Sequence, residues 1–161
     1  MMAMVYRNCI INDLHKDGEK GMQCLVAGFM HYLALCVCDL NEARKGIMFV
    51  CDCKGIGLKN MSLELEKEMA WLYQDGPPIK LKRVLLVDSP SILKGFMKLL
   101  KVFLKKKTAD RMVVCDSKDL DKFAKPTELA TPFGTYEKSM QQWREERTRR
   151  LEEATLKCKA E

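Results

Sequence analysis

Histidine is scarce in this 161-residue chain: His15 and His31 are the only two. Two imidazoles leave little for a metal site or a hydrolytic pair, and His31, flanked by aromatics in a helix-like stretch, reads as a buried structural residue. A long apolar run is missing too. Residues 22–38 are broken by Gln23, Gly28 and His31, short of the roughly twenty apolar residues of a membrane span. The opening MMAMVYRNC has no continuous signal-peptide core. Stable membrane insertion is therefore excluded, and peripheral contact is not. Acid is absent from one interval, between Asp88 and Asp110, which holds Lys94, Lys98, Lys101, Lys105 and Lys107.

With 47% hydrophobic and 31% charged residues, the composition suits one folded domain. The net charge of +6 is modest and local, which favours a phosphate-bearing surface over a long nucleic acid. The eight cysteines stand at 9, 24, 36, 38, 51, 53, 115 and 158, several inside apolar runs. Buried, reduced thiols of a cytoplasmic protein are expected.

Hydrophobic periodicity orders the elements. Residues 3–11 suit a short first strand, and residues 22–41 a helix with Leu25, Phe29, Tyr32, Leu33 and Cys36 on one face. The run IMFVCD at 47–52 is apolar throughout and too short for an independent helix, so it predicts a strand buried on both faces. Residues 62–73 predict a helix with a capping-box-like start at Ser62, stopped by Gly76, Pro77 and Pro78. Strands at 83–88 and 111–115 bracket the acid-free interval, and a short helix follows around 119–123. Strands separated by helix-length segments imply parallel pairing, hence an α/β fold with a helix-covered, mostly parallel sheet. Residues 1–135 would form the domain, with 136–161 a charged terminal helix or tail.

The acid-free interval itself predicts a helix over 90–105, with Ser89 as N-cap and Pro90 in the first position. Ile92, Leu93, Phe96, Leu99, Leu100, Phe103 and Leu104 share one face, and Lys94, Lys98, Lys101 and Lys105 the other. Periodicity fits both a core-packing helix with a solvated face and one that covers a cavity and meets an anionic membrane. Nucleic-acid binding is not expected, because the polar face offers lysine alone and both aromatics lie on the apolar side.

The remaining motifs have structural explanations. Cys38 and Arg44 have the C-x5-R spacing of cysteine phosphatases, but Asp39 and Glu42 would repel phosphate and raise the thiol pKa. Gly55-Ile56-Gly57 lacks the third glycine of a dinucleotide fingerprint, Asn60 standing there, and suits a turn. The cysteine pairs at 36, 38 and 51, 53 have no second pair spaced for a tetrahedral metal. Asp52 and Asp88 end strands, where a carboxylate is usually a cap or turn acceptor. No catalytic constellation, metal site or cofactor is expected.

Three pieces in order, GIMFVCDCKG at 46–55, PPIKLKRVLLVDSP at 77–90 and LLKVFLKKKTADRMVV at 99–114, resemble the CRAL-TRIO family of lipid-binding domains, the group of retinaldehyde-binding, tocopherol-transfer and phosphatidylinositol-transfer proteins. The likeness covers about residues 20–135. It implies a sheet flooring a hydrophobic pocket, closed by an amphipathic gate helix formed from the acid-free interval. By position, the lining would come from Phe29, Leu33, Ile47, Phe49, Cys51, Met69, Leu72, Tyr73, Ile79, Val84 and Leu86, with Leu93, Phe96, Leu100, Phe103 and Leu104 from the gate. Lys82, Lys107 and Arg111 stand where the tocopherol-transfer branch grips a phosphoinositide head group.

The chain also departs from the family pattern. Ile79 stands in place of a glutamate that helps hold inositol in one branch, and Val102 in place of a gate-helix proline. Residues 129–135 read LATPFGT where L-P-x-E-[YF]-G-G is usual, and the family's N-terminal helical bundle is expected to be missing. The leading expectation is a non-catalytic binder or carrier of a hydrophobic small molecule or lipid that touches anionic membranes peripherally. The alternative is a regulatory or scaffolding module that keeps the fold without a working pocket; protein partners are not specified.

Overall fold

A computed structural model of the chain describes residues 2–5, 18–37, 40–74, 76, 80–129, 132–135 and 140–160. Its centre is a parallel sheet in the order β1-β2-β3-β4, formed by β1 (Met2–Val5), β2 (Ile47–Asp52), β3 (Leu81–Val87) and β4 (Met112–Cys115). Between β1 and β2 lie α1 (Gly18–Cys36) and α2 (Leu40–Lys45). Helix α3 (Leu63–Gln74) connects β2 to β3. Helices α4 (Ser91–Leu100) and α5 (Lys106–Ala109) connect β3 to β4. Short 3-10 turns follow at Ser117–Lys122 and Pro126–Glu128, and α6 (Met140–Ala160) ends the chain.

Parallel neighbours need long crossovers, so each helix starts near the carboxyl end of one strand and returns the chain to the amino end of the next. This rule places the last turns of α3 and α4 at the same edge of the sheet. Strand β2 has the predicted bounds. Its alternation separates Ile47, Phe49 and Cys51 from Met48 and Val50, as the two-residue period of a strand requires. On β3, Val84 and Leu86 share the first face, and Leu85 and Val87 the second. A register shift between Ile47 and Met48 leaves Lys82 as the extra residue of a bulge, opposite no β2 residue.

The sheet therefore has two cores. Its first face is covered by α1, α3 and α4 through Phe29, Leu33, Leu65, Met69, Leu93, Met97 and Leu100, among others. Its second is smaller, with Val50, Leu85 and Val87 against Leu120, Ala124 and Leu129. Val50, Leu85 and Val87 are wholly buried, each contributing about 1.5–3 kcal/mol of transfer free energy.

Several elements differ from expectation. The first strand is described over Met2–Val5, and the rest of 3–11 lies outside the described residues. The predicted helix over 22–41 begins at Gly18, and α1 ends at Cys36, before α2. Ser62 caps α3 as expected, its Oγ accepting the Leu65 amide at 3.2 Å. At α4, Pro90 rather than Ser89 is the N-cap, with φ −68° and ψ 159°. The Ser89 hydroxyl instead donates to the Leu86 carbonyl at 3.1 Å. The long helix over 90–105 is α4, a tight turn and α5, because i→i+3 bonds wind up the chain from Val102 to Leu104. Residues 140–160 are helical; α6 packs against α1, and Trp143 reaches the first-face core.

Candidate functional site

The first face of the sheet brings together most of the residues expected to line a pocket. Phe29 and Leu33 from α1, Ile47, Phe49 and Cys51 from β2, and Met69 from α3 are buried in one cluster. It also holds Val84 and Leu86 from β3, and Leu93, Leu100 and Leu104 from α4 and its turn. Phe96 packs against it half-buried. The Phe29 and Phe49 rings stack at 5.6 Å with an interplanar angle of 26°, an offset geometry that joins α1 to the middle of the sheet. Leu72 and Tyr73 belong to α3, but their side chains, like Ile79, lie outside the described residues.

Phe103 is placed differently. It is 44% exposed, outside the cluster, with the Lys67 ammonium 4.5 Å from its ring centroid. The α4 stripe is narrower than the sequence suggests: Leu93, Met97, Leu100 and Leu104 are its buried edge, whereas Ile92, Leu99 and Val102 face outward. Spacings of four, three and four residues carried that signal, and Met97 was the residue missed. Cys53, Ile56, Leu65 and Leu81 also belong to the cluster without having been expected there.

A buried carboxylate, Glu66, lies beside this apolar face and was not foreseen. Burial, and then electrostatic coupling to the Cys53 thiol and to Glu66, pushes the Cys51 thiol well above its ordinary range. Cys53 is pushed up to about 11, chiefly by burial. Both thiols are thus neutral at physiological pH and serve the face as small apolar groups.

The basic residues occupy two places. Lys94 and Lys98 are exposed along the body of α4. The crossover brings Lys101 and Lys105 to the amino edge of the sheet, where Lys107 and Arg111 follow on α5 and its exit. The Val84 amide donates to the Arg111 carbonyl at 3.0 Å, which sets Arg111 close in register to Lys82. All of these lysines are exposed, and Arg111 is half-buried.

The other sequence motifs resolve into local structure. The Asp52 carboxylate accepts the Lys54 amide at 3.0 Å, and that of Asp88 the Ser117 amide at 2.8 Å. Each closes a turn. Gly55 sits at φ +75° in the tight turn after β2, and Ile56 is buried in the core. Arg44 lies within α2 rather than closing a phosphate loop, while Cys38 and His15 are outside the described residues. Among the described residues no group of histidine, cysteine or carboxylate side chains is arranged to hold a metal, and no helix is long and apolar enough to cross a membrane.

Comparison with known proteins agrees with this arrangement. Residues 6–134 match the CRAL/TRIO domain. The chain is 39% identical over 69 residues to the alpha-tocopherol transfer protein-like proteins of Mus musculus and Homo sapiens, covering 41% of this chain and 20% of theirs. It is 23% identical over 125 residues to tyrosine-protein phosphatase non-receptor type 9 of Mus musculus, covering 78% of this chain and 21% of that one. The chain thus spans about a fifth of the length of these curated relatives. CRAL/TRIO domains bind hydrophobic small molecules and are in general non-catalytic. A parallel sheet with an apolar face roofed by an amphipathic helix, matched over residues 6–134, makes this chain a member of the CRAL/TRIO domain family.

Proposed function

We propose that this protein binds a hydrophobic small molecule or lipid on the first face of its sheet and transfers it between membranes, without catalysis. The observation that carries this reading is the single apolar cluster uniting α1, β2, α3, β3 and α4. Helix α4 roofs that face with Leu93, Met97 and Leu100 and turns lysines outward. Cargo would take the place of side-chain contacts beneath α4, so loading exchanges one apolar packing for another.

Peripheral docking on an anionic membrane belongs to the same proposal. Leu99, Val102 and Phe103 are exposed amid lysines, an arrangement suited to shallow entry between head groups. Lys82, Lys107 and Arg111 would grip a phosphoinositide, each basic group contributing about 1 kcal/mol near the surface. Residues 1–135 would carry the binding unit and α6 would brace α1. Buried cysteines outside any disulfide, Cys36, Cys51 and Cys53, suit a reducing cytoplasm.

Native mass spectrometry of freshly purified protein, with solvent extraction of lipids, tests the proposal. A co-purified or loadable lipophile is the expected result. The Phe29–Phe49 stack in the middle of the face favours a second reading, a scaffolding module whose face is permanently filled. A well-folded chain that takes up no lipophile would establish that reading instead.

A further inference from the structure

The turn between α4 and α5 is gripped from outside by α3. Helical bonding runs on from α4 through the turn, with the Val102, Phe103 and Leu104 amides donating to Leu99, Leu100 and Lys101 carbonyls. At Lys105 the pattern breaks: its amide donates to the Gln74 side-chain oxygen on α3. Two residues earlier, the Phe103 ring lies under the Lys67 ammonium. Lys67 and Gln74 are seven residues apart and so lie two turns apart on one side of α3. Trp71, exposed, sits between them in that row.

The other end of the segment is anchored differently. Asp88 holds Ser117, and the Ser89 hydroxyl bonds back to Leu86. The span from α4 to α5 is thus fixed where it leaves β3 and held by side chains of α3 where it reaches the amino edge. Both α3 contacts are exposed to solvent, where a cation–π pair and a single hydrogen bond are each weak. The held residues face outward beside exposed Leu99 and Val102, in an interval free of acid from Asp88 to Asp110. An anionic lipid surface offers both partners of the Lys67–Phe103 contact something better, acyl chains for the ring and a phosphate for the ammonium.

We infer that Lys67 and Gln74 form a latch closing residues 103–105 over the first face, and that docking on an anionic membrane releases it. This rests on the carrier reading and supplies the regulation of that carrier: the site stays shut in solution and opens where cargo is exchanged. Gln74 is the decisive position, because Gln74→Ala breaks the latch without changing charge.

Two measurements on the full chain test the latch. In solution, hydrogen exchange of the amides of residues 101–109 should rise about three- to tenfold in Gln74→Ala and in Lys67→Ala. Lys67→Arg should retain protection, and the β2 and β3 amides should be unaffected. In co-flotation with phosphatidylcholine vesicles containing phosphatidylserine, Gln74→Ala should bind tighter than the natural chain by a similar factor, since no latch need be broken first. Unchanged exchange in both variants overturns the latch. Raised exchange with unchanged vesicle affinity overturns membrane release. Neither readout requires cargo, so failure to load a lipophile would count against the carrier reading and not against the latch.

Discussion

The Ser117 amide donates to Oδ1 of Asp88 at 2.8 Å, tying the exit of β4 to the turn that leaves β3. Asp88 is the described non-glycine residue with positive φ, at 52°, a conformation an aspartate tolerates when its side chain has a local partner. The bond and the backbone twist sustain one another at the start of α4.

Asp88→Ala removes the bond and leaves the strained backbone, so it should cost about 2–3 kcal/mol in urea denaturation. Asp88→Gly removes both and should cost less. Equal losses would mean that the backbone twist contributes nothing.

Gly46 permits a close approach of two backbone segments. Its φ is +76°, and a Cβ there would stand 2.3 Å from the Lys80 carbonyl oxygen, the same oxygen that accepts the Ile47 amide at 2.9 Å. Gly46→Ala should therefore destabilise by about 2 kcal/mol or more, with β2–β3 pairing disturbed at its first rung. Thermal unfolding measures the loss.

Leu93 and Phe103 should separate stability from membrane contact. Leu93→Ala, in the core, should cost about 2–5 kcal/mol. Phe103→Asp, outside it, should change stability by about 0.5 kcal/mol or less, yet reduce binding to anionic vesicles about tenfold. Stability is read by urea denaturation and vesicle affinity by co-flotation.

For the basic edge, Lys107→Ala combined with Arg111→Ala should leave lipophile loading intact and slow delivery to phosphoinositide-bearing vesicles about tenfold or more, from about 1 kcal/mol per residue. A fluorescence transfer assay with neutral and anionic acceptors makes the comparison; equal slowing toward both would argue against head-group recognition.

The buried thiols give a pH signature. Cys53 has a pKa of about 11 in the folded chain against an ordinary 9.0, and that of Cys51 is raised as well. The folded state holds these protons more tightly than the unfolded one. The Cys53 contribution is therefore complete below pH 9.0 and lost as pH rises through about 11, and that of Cys51 is likewise lost only on the alkaline side. The stability difference between the natural chain and a Cys51→Ala, Cys53→Ala variant should shrink over that window, as denaturation midpoints will record.

Strand β2 was legible to the residue because an apolar run bounded by Gly46 and a turn leaves one interpretation, and its alternation identified Ile47, Phe49 and Cys51 as one face. Helix α4 was legible in kind but not in length. No proline or glycine marks its end at Leu100, and the break at Lys105 depends on Gln74, thirty-one residues earlier. The stripe was read too wide because Ile92 and Leu99 each precede a buried leucine. The second core went unread: Leu120, Ala124 and Leu129 sit in or beside short 3-10 turns with no period to reveal them.

The two cores also bear on how much rearrangement the protein can survive. Val50, Leu85 and Val87 are sealed on the side of the sheet away from α4, so in the proposed carrier the contents under α4 would be exchanged while that side keeps the strands in register. The sheet would then work like a hull with its ballast below the waterline, and a carrier emptied of its cargo would remain folded. Loss of a side chain from the smaller core should cost stability without touching the proposed cargo face, whereas a substitution beneath α4, such as Leu93→Ala, should cost both.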